Sequence, residues 1–396
     1  MNNLQSLKQW LPSLGLGFAG FIFVTTEFIP VGLLPEIAEG IQKSEAFIGL
    51  MMTIYAWIVA TMSLPMTVWS ARFNRRKLLL TLLVLFIFAH AIAMTATNFP
   101  VLMLSRVVIA LLHSIFWSIT IPLAVRVAPS GKETQSLALV STTTTLGSIL
   151  GIPLGTSIGQ IFGWRWAFGS IGIGALVVLC SLYKTFPNLK SQNSGSFKSV
   201  PGLFKNKVIA LIYLVTAISI TGHFTAFTYI KPYLRTIGHY TPNNIVFILF
   251  VFGCSGIIGS VIGGKALAFS LRKPLLIALS IMGLSLLLWN IFTFSIVALA
   301  ALCLFWGASM SVMGLVFQTA IVSSAPDAQD VAVSLYSGIF NIGIGSGALI
   351  GSLVSSNYLE SVGYLGAGFL VLALLISLAI PFHTIKKTFG GGATFH

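Results

Sequence analysis

Long apolar segments recur from one end of this chain to the other, and they decide what it can fold into. A helix rises ~1.5 Å per residue, so about 20 apolar residues cross the ~30 Å hydrocarbon core of a bilayer. Runs of that kind lie around 14–36, 45–70, 78–97, 100–127, 135–161 and 165–186. A second set lies around 207–236, 244–268, 274–293, 296–323, 330–354 and 360–384. Among 396 residues, 56% are hydrophobic and 8% charged, too little polar surface to cover a water-soluble core. The expected fold is an all-α membrane protein with twelve transmembrane helices in two six-helix halves. Short separators such as "TATNFP" leave neighbouring spans antiparallel.

The halves are expected at 1–186 and 207–386. Between them, 187–206 is polar, basic and Ser/Gly-containing and reads as a cytoplasmic linker; the tail 387–396 reads as disordered. Lys8 precedes the first apolar run as in a signal peptide, but that run is too long for one and contains Glu27 and Pro30, so it reads as a permanent span. A net charge of +14 could mean a nucleic-acid partner, yet the basic residues stand scattered at segment ends. Lys43, Arg165, Lys231 and Arg235 fall on one side, Arg106 within a span, and all other Lys and Arg on the side of the N-terminus. That bias puts both termini in the cytoplasm. The three cysteines lie inside apolar spans and suggest neither a disulfide framework nor a metal site.

The halves repeat. Gly147, Gly151 and Gly155 recur as Gly343, Gly347 and Gly351, an offset of 196, and the same offset carries Glu27-Phe28 onto His223-Phe224. Glycines at every fourth position let helices approach closely, so packing is the simplest role for them. Two halves in parallel orientation are the arrangement in which a transported substrate binds between repeats near the midplane.

Several stretches together resemble the major facilitator superfamily across the whole chain. "MTVWSARFNRRKL" resembles its loop between spans two and three, with Arg72, Arg75 and Arg76 at the basic positions; Thr67 and Ala71 replace the usual glycine and aspartate. "LSRVVIALLHSIFW" places Arg106 at the span-four arginine. "GIPLGTSIGQIFGWRWAF", which includes Pro153, is similar to the span-five antiporter motif. Within the drug/proton antiporter group, "TTEFIPVGLLPEIA", "MTIYAWIVATMSLP", "HSIFWSIT" and "APDAQDVAVSLYSGIFNIGIGSGALIG" resemble the bacterial sugar efflux transporter B family. The resemblance implies proton-coupled efflux of sugars or sugar-like compounds across the bacterial inner membrane. It implies a monomer in the lipid bilayer, with protons and a small sugar as partners and no cofactor, metal or nucleic acid.

Glu27 reads as the acid at bilayer depth, where an ionised group costs ~2.5–3.5 kcal/mol on insertion scales. Facing a wet cavity, or being protonated, would remove much of that cost. Measured from the outer ends of their spans, Glu27 lies roughly 13 Å down, Arg106 roughly 8 Å and His113 roughly 18 Å. Arg106, Ala110, His113 and Trp117 share one face of span four. If spans one and four are neighbours, as the resemblance implies, Glu27 sits between an arginine and a histidine. It then either exchanges its carboxylate between a proton and Arg106, or forms a fixed pair that only packs the half. Pro30 frees a carbonyl one turn back, around Thr26.

Candidate substrate contacts are Tyr55, His113, Trp117, His223, Tyr229 and Asn341, since sugars pack C–H faces on aromatic planes and offer hydroxyls to imidazoles and amides. Each has a plain structural alternative, as helix contact or interhelical glue. His90 reads as structural, and "STTTT" at 141–145 as hydroxyls bonded back to their own helix. A multidrug exporter of lipophilic compounds is the alternative reading, though His113, His223, Asn341 and Gln318 favour polar cargo. A membrane enzyme would need a catalytic pair or metal set at helical spacing, and none is visible.

Overall fold

A computed structural model describes residues 2–384 except 71, 191–199, 268, 326 and 327. The tail 387–396 and the centre of the expected linker lie outside the described residues. The N-terminal half comprises α1 (Asn2–Ile41), α2 (Glu45–Ser70), α3 (Arg75–Thr95), α4 (Phe99–Arg126), α5 (Glu133–Phe162) and α6 (Trp164–Thr185). After a short α7 (Val200–Lys205) come α8 (Lys207–Phe227), α9 (Ile230–Thr236), α10 (Pro242–Leu267), α11 (Arg272–Leu288), α12 (Ile296–Ser324), α13 (Gln329–Ser355) and α14 (Ser361–Ser377). Ten described segments are long and apolar enough to cross a membrane, α8 and α9 counting as one; α11 and α14 have 17 residues each.

Local chemistry sets several boundaries. The side chain of Asn74 accepts from Lys77 N–H at 3.2 Å and that of Asn98 from Val101 N–H at 3.0 Å, capping α3 and α4. Gly163, at φ +89°, makes the corner between α5 and α6 in a region that suits glycine. The expected seventh span is not continuous. Pro232 cannot donate to Thr228 O, and the helix breaks at Thr228–Tyr229. Part of the expected linker is also helical, as α7.

Glycines set how each half is assembled. Along α5, a Cβ on Gly147 would lie 2.7 Å from Phe21 O and on Gly151 2.6 Å from Thr25 Oγ1, while one on Gly155 would run into the Ile29 side chain, so α5 lies directly on α1. The counterpart is α13 on α8: Gly343 meets Ile220, Gly347 meets Thr221 O at 2.5 Å, and Gly351 meets Tyr229 and Thr225 O. Gly347 faces main-chain atoms, which cannot rotate away. Gly347→Val should therefore destabilise the C-terminal half by ~1–3 kcal/mol, the usual cost of overpacking. Thermal unfolding followed by size-exclusion fluorescence checks this against Gly264→Val, where an added Cβ meets open space.

Two hydrophobic cores result, one per half, and each reaches across: Val31, Met52, Ala56 and Ile152 join the C-terminal core, Tyr229 the N-terminal one. The halves meet along two main seams. Antiparallel α2 and α13 touch at every seventh residue: Ser352 Oγ donates to Ala46 O at 2.6 Å, a Cβ on Gly345 would lie 3.0 Å from Thr53 O, and one on Gly338 3.2 Å from Ala60 O. Between α5 and α10, contact is made at Gln160–Pro242 and at Ile149–Gly253. A crevice of about 460 Å³ lies along that seam, lined by Leu150, Pro153, Leu154, Ser157, Asn243 and Phe247 among others. At the molecular pseudo-axis Phe28 of α1 stacks on Phe224 of α8, centroids 6.0 Å apart.

Candidate functional site

Pro30 prepares the site. Its missing N–H leaves Thr26 O without a helical donor, and Arg106 Nη1 from α4 donates to that carbonyl at 2.7 Å. The same guanidinium reaches Thr26 Oγ1 and Glu27 O, each at 3.5 Å, and lies 4.2 Å above the Tyr55 ring. Its Nε has no hydrogen-bond partner. The arginine expected to meet the Glu27 carboxylate therefore binds the backbone beneath it.

The carboxylate turns to the histidine instead. Glu27 Oε2 lies 3.3 Å from His113 Nε2, and both residues are more than nine-tenths buried. Tyr55 OH bonds His113 Nδ1 at 2.8 Å, and the Trp117 indole N–H is directed at His113 Nε2. Arg106, Ala110, His113 and Trp117 do share one face of α4, and α1 and α2 supply the partners of Arg106 and His113. One ring nitrogen thus faces two groups that make opposite demands. A bare Nε2 accepts from the indole or from a protonated Glu27; a protonated Nε2 donates to an ionised Glu27. Tyr55 accommodates either tautomer, because a phenol both donates and accepts.

His223 occupies the matching place in the other half with different surroundings. Trp306 Nε1 donates to His223 Nδ1 at 2.9 Å, and the ring lies beside Phe227 and Phe252, centroids 5.0 and 6.1 Å away, which themselves pack 4.7 Å apart. This wall is aromatic where the N-terminal one is ionisable. Asn341 donates to Ser337 O of its own helix at 3.0 Å and leaves Oδ1 buried without a partner. Tyr229, at the α8–α9 break, is fully buried in the seam between the halves, against Gly49 and Gly351.

The basic loop ties helix ends together. Arg76 donates to Tyr183 O at 2.6 Å near the end of α6, Arg72 lies over Trp69 and Phe73, and Arg75 N–H donates to Leu189 O at 2.9 Å. Thr143 and Thr145 bond back to Leu139 O and Ser141 O, as the sequence suggests.

Sequence reasoning missed a second buried charge. Lys231, expected on the outer side, lies buried within α9, and Glu36 lies within α1. Lys231 is 2% exposed, and its Nζ donates to Glu36 Oε1 at 2.5 Å and to Gly32 O at 2.6 Å. Of the two ion pairs among the described residues, this one joins the halves. The repeat held a signal: Pro35, beside Glu36, aligns with Lys231 at the offset of 196.

Two bundles with matching glycine seams, meeting around buried polar residues, define a polytopic membrane transporter. A model of the Major Facilitator Superfamily matches residues 16–337. The fold is similar to that of a bacterial homolog of the human lysosomal transporter Spinster, solved in an inward-facing, unoccupied conformation. The TM-score is 0.77 at 16% identity, covering 97% of this chain and 99% of that one. It is also similar to the nucleoside transporter NupG, solved as a point mutant, with TM-score 0.77 at 12% identity over 94% of this chain and 99% of that one. This chain belongs to the major facilitator superfamily.

Proposed function

We propose that this transporter exports sugars or sugar-like compounds in exchange for protons, by alternating access across a bacterial inner membrane. In this reading it has twelve spans, cytoplasmic termini and a monomeric state, and it is a drug/proton antiporter of the sugar efflux B type. The observation that carries the reading is the Glu27–His113 contact, with Tyr55, Trp117 and Arg106 around it. A proton on either partner changes which hydrogen bonds the group can make, so proton binding can bias one arrangement of the halves over another. Of the aromatic group around His223, the half-buried Phe252 is the ring on which a sugar would pack.

Inter-half contacts support a state closed at the end where α1 runs into α2, with the Lys231–Glu36 pair, the Ser352–Ala46 bond and the Gly49–Tyr229 contact all at that end. With cytoplasmic termini, that end is the outer one. A lipophilic-drug exporter is the second reading, favoured by the mostly apolar crevice between α5 and α10. Proteoliposomes carrying an imposed pH gradient, assayed with radiolabelled sugars and lipophilic cations in parallel, separate the two. Gradient-dependent movement of a sugar, absent from protein-free vesicles, is the expected result; movement of the cations alone would overturn it.

A further inference from the structure

His90 of α3 is fully enclosed, touches neither Glu27 nor His113 through a hydrogen bond, and has no part in the reading above. Its Nδ1 lies 2.8 Å from Phe86 O. A carbonyl can only accept, so Nδ1 carries the proton, and in the neutral ring Nε2 is a bare acceptor. The partner of Nε2 is Thr26 Oγ1 at 2.8 Å, which must therefore donate. Helical threonines usually turn this hydroxyl back on their own helix, as Thr25 does to Phe21 O at 2.8 Å. Thr26 is held away from that choice, and its oxygen lone pairs are left for Arg106 Nη1, 3.5 Å away. Pro30 frees the carbonyl of Thr26 and His90 orients its hydroxyl, so both oxygens of one residue face the cation as acceptors.

We propose that His90 is a positioning residue which, through the Thr26 hydroxyl, holds the Arg106 guanidinium on the α1 backbone and off the Glu27 carboxylate. The proposal rests on Glu27 being the proton site. Without the oriented hydroxyl, the guanidinium loses one of its acceptors and turns to the Glu27 carboxylate to replace it. The titratable and charged groups facing this region are Glu27 on α1, Tyr55 on α2, His90 on α3, and Arg106 and His113 on α4; Lys231 and Glu36 lie farther along α1, near Gly32.

The test is an infrared titration of the full chain in lipid, following the carboxyl band that Glu27→Gln removes. Thr26→Val keeps the carbonyl and the side-chain shape while deleting the hydroxyl. It should displace the pH midpoint of that band by about one unit or more, the scale of a newly gained charge contact. His90→Phe should do the same, and Thr26→Ser should restore the wild-type midpoint. A His90 that merely fills space would lower the melting temperature and leave the midpoint in place. If Thr26→Val and His90→Phe both titrate like wild type, the positioning role is refuted and the Glu27 reading stands. If Glu27→Gln removes no band, both fall. Should His90→Phe not fold, Thr26→Val alone decides.

Discussion

Glu27→Gln is expected to lower pH-gradient-driven transport by about 100-fold, the scale on which loss of a proton-transfer group is felt. Exchange of cargo between two compartments at equal pH should persist. Glutamine keeps the volume and the hydrogen-bonding reach of glutamate, so the packing of α1 against α4 is retained and His113 Nε2 still has a partner 3.3 Å away. What is lost is a second protonation state. Exchange requires only that the halves reorient with cargo bound, whereas net movement against a gradient requires a proton to return in its place. Parallel assays on the same vesicles read both quantities. Equal gradient-driven rates in wild type and variant would remove Glu27 from the coupling scheme.

Lys231→Met and Glu36→Gln should each open the closed end of the molecule. Nζ of Lys231 reaches from the C-terminal half to a carboxylate and a main-chain carbonyl of the N-terminal half, and Thr156 Oγ1 donates to the same Gly32 carbonyl at 3.1 Å. In the closed state the two ions neutralise one another; once the halves part, water solvates both. The pair is thus a latch of moderate strength, since its partners regain hydration on release. Glu36 is partly exposed, which screens the pair further. Ser352→Cys, in a chain with Cys180 and Cys254 replaced, reports the opening. Its labelling by a membrane-impermeant thiol reagent should accelerate about tenfold in either variant, a shift of ~1.4 kcal/mol. The charge-exchanged double variant, Lys231→Glu with Glu36→Lys, should label slowly again. Wild-type rates in both single variants would show that the seam holds without the ions.

The sequence makes some of this architecture plain and hides the rest, for reasons that can be traced. Glycine stripes at 147, 151, 155 and 343, 347, 351 are legible because a missing side chain on one helix face has few uses other than close approach. The unsatisfied carbonyl at Thr26 is legible too, since a proline always orphans the oxygen four residues earlier. Which donor fills it is not: Arg106 chooses between carbonyls and a carboxylate only a few ångströms apart, and that choice depends on rotamers. The α8–α9 break is hidden because Pro232 falls near a span end, where a proline would ordinarily pass as a boundary. The same position hides that Lys231 is buried. His90 reads as structural from its position alone, and only the geometry of its two ring nitrogens shows what it is bonded to.

Phe28 and Phe224, which correspond in the internal repeat, stack on one another between the halves. Each ring therefore forms part of the other's surroundings, so a change in one half alters the packing of both. One position earlier the matched residues differ, glutamate in one half and histidine in the other, and a single shared contact thus joins an ionisable wall to an aromatic one.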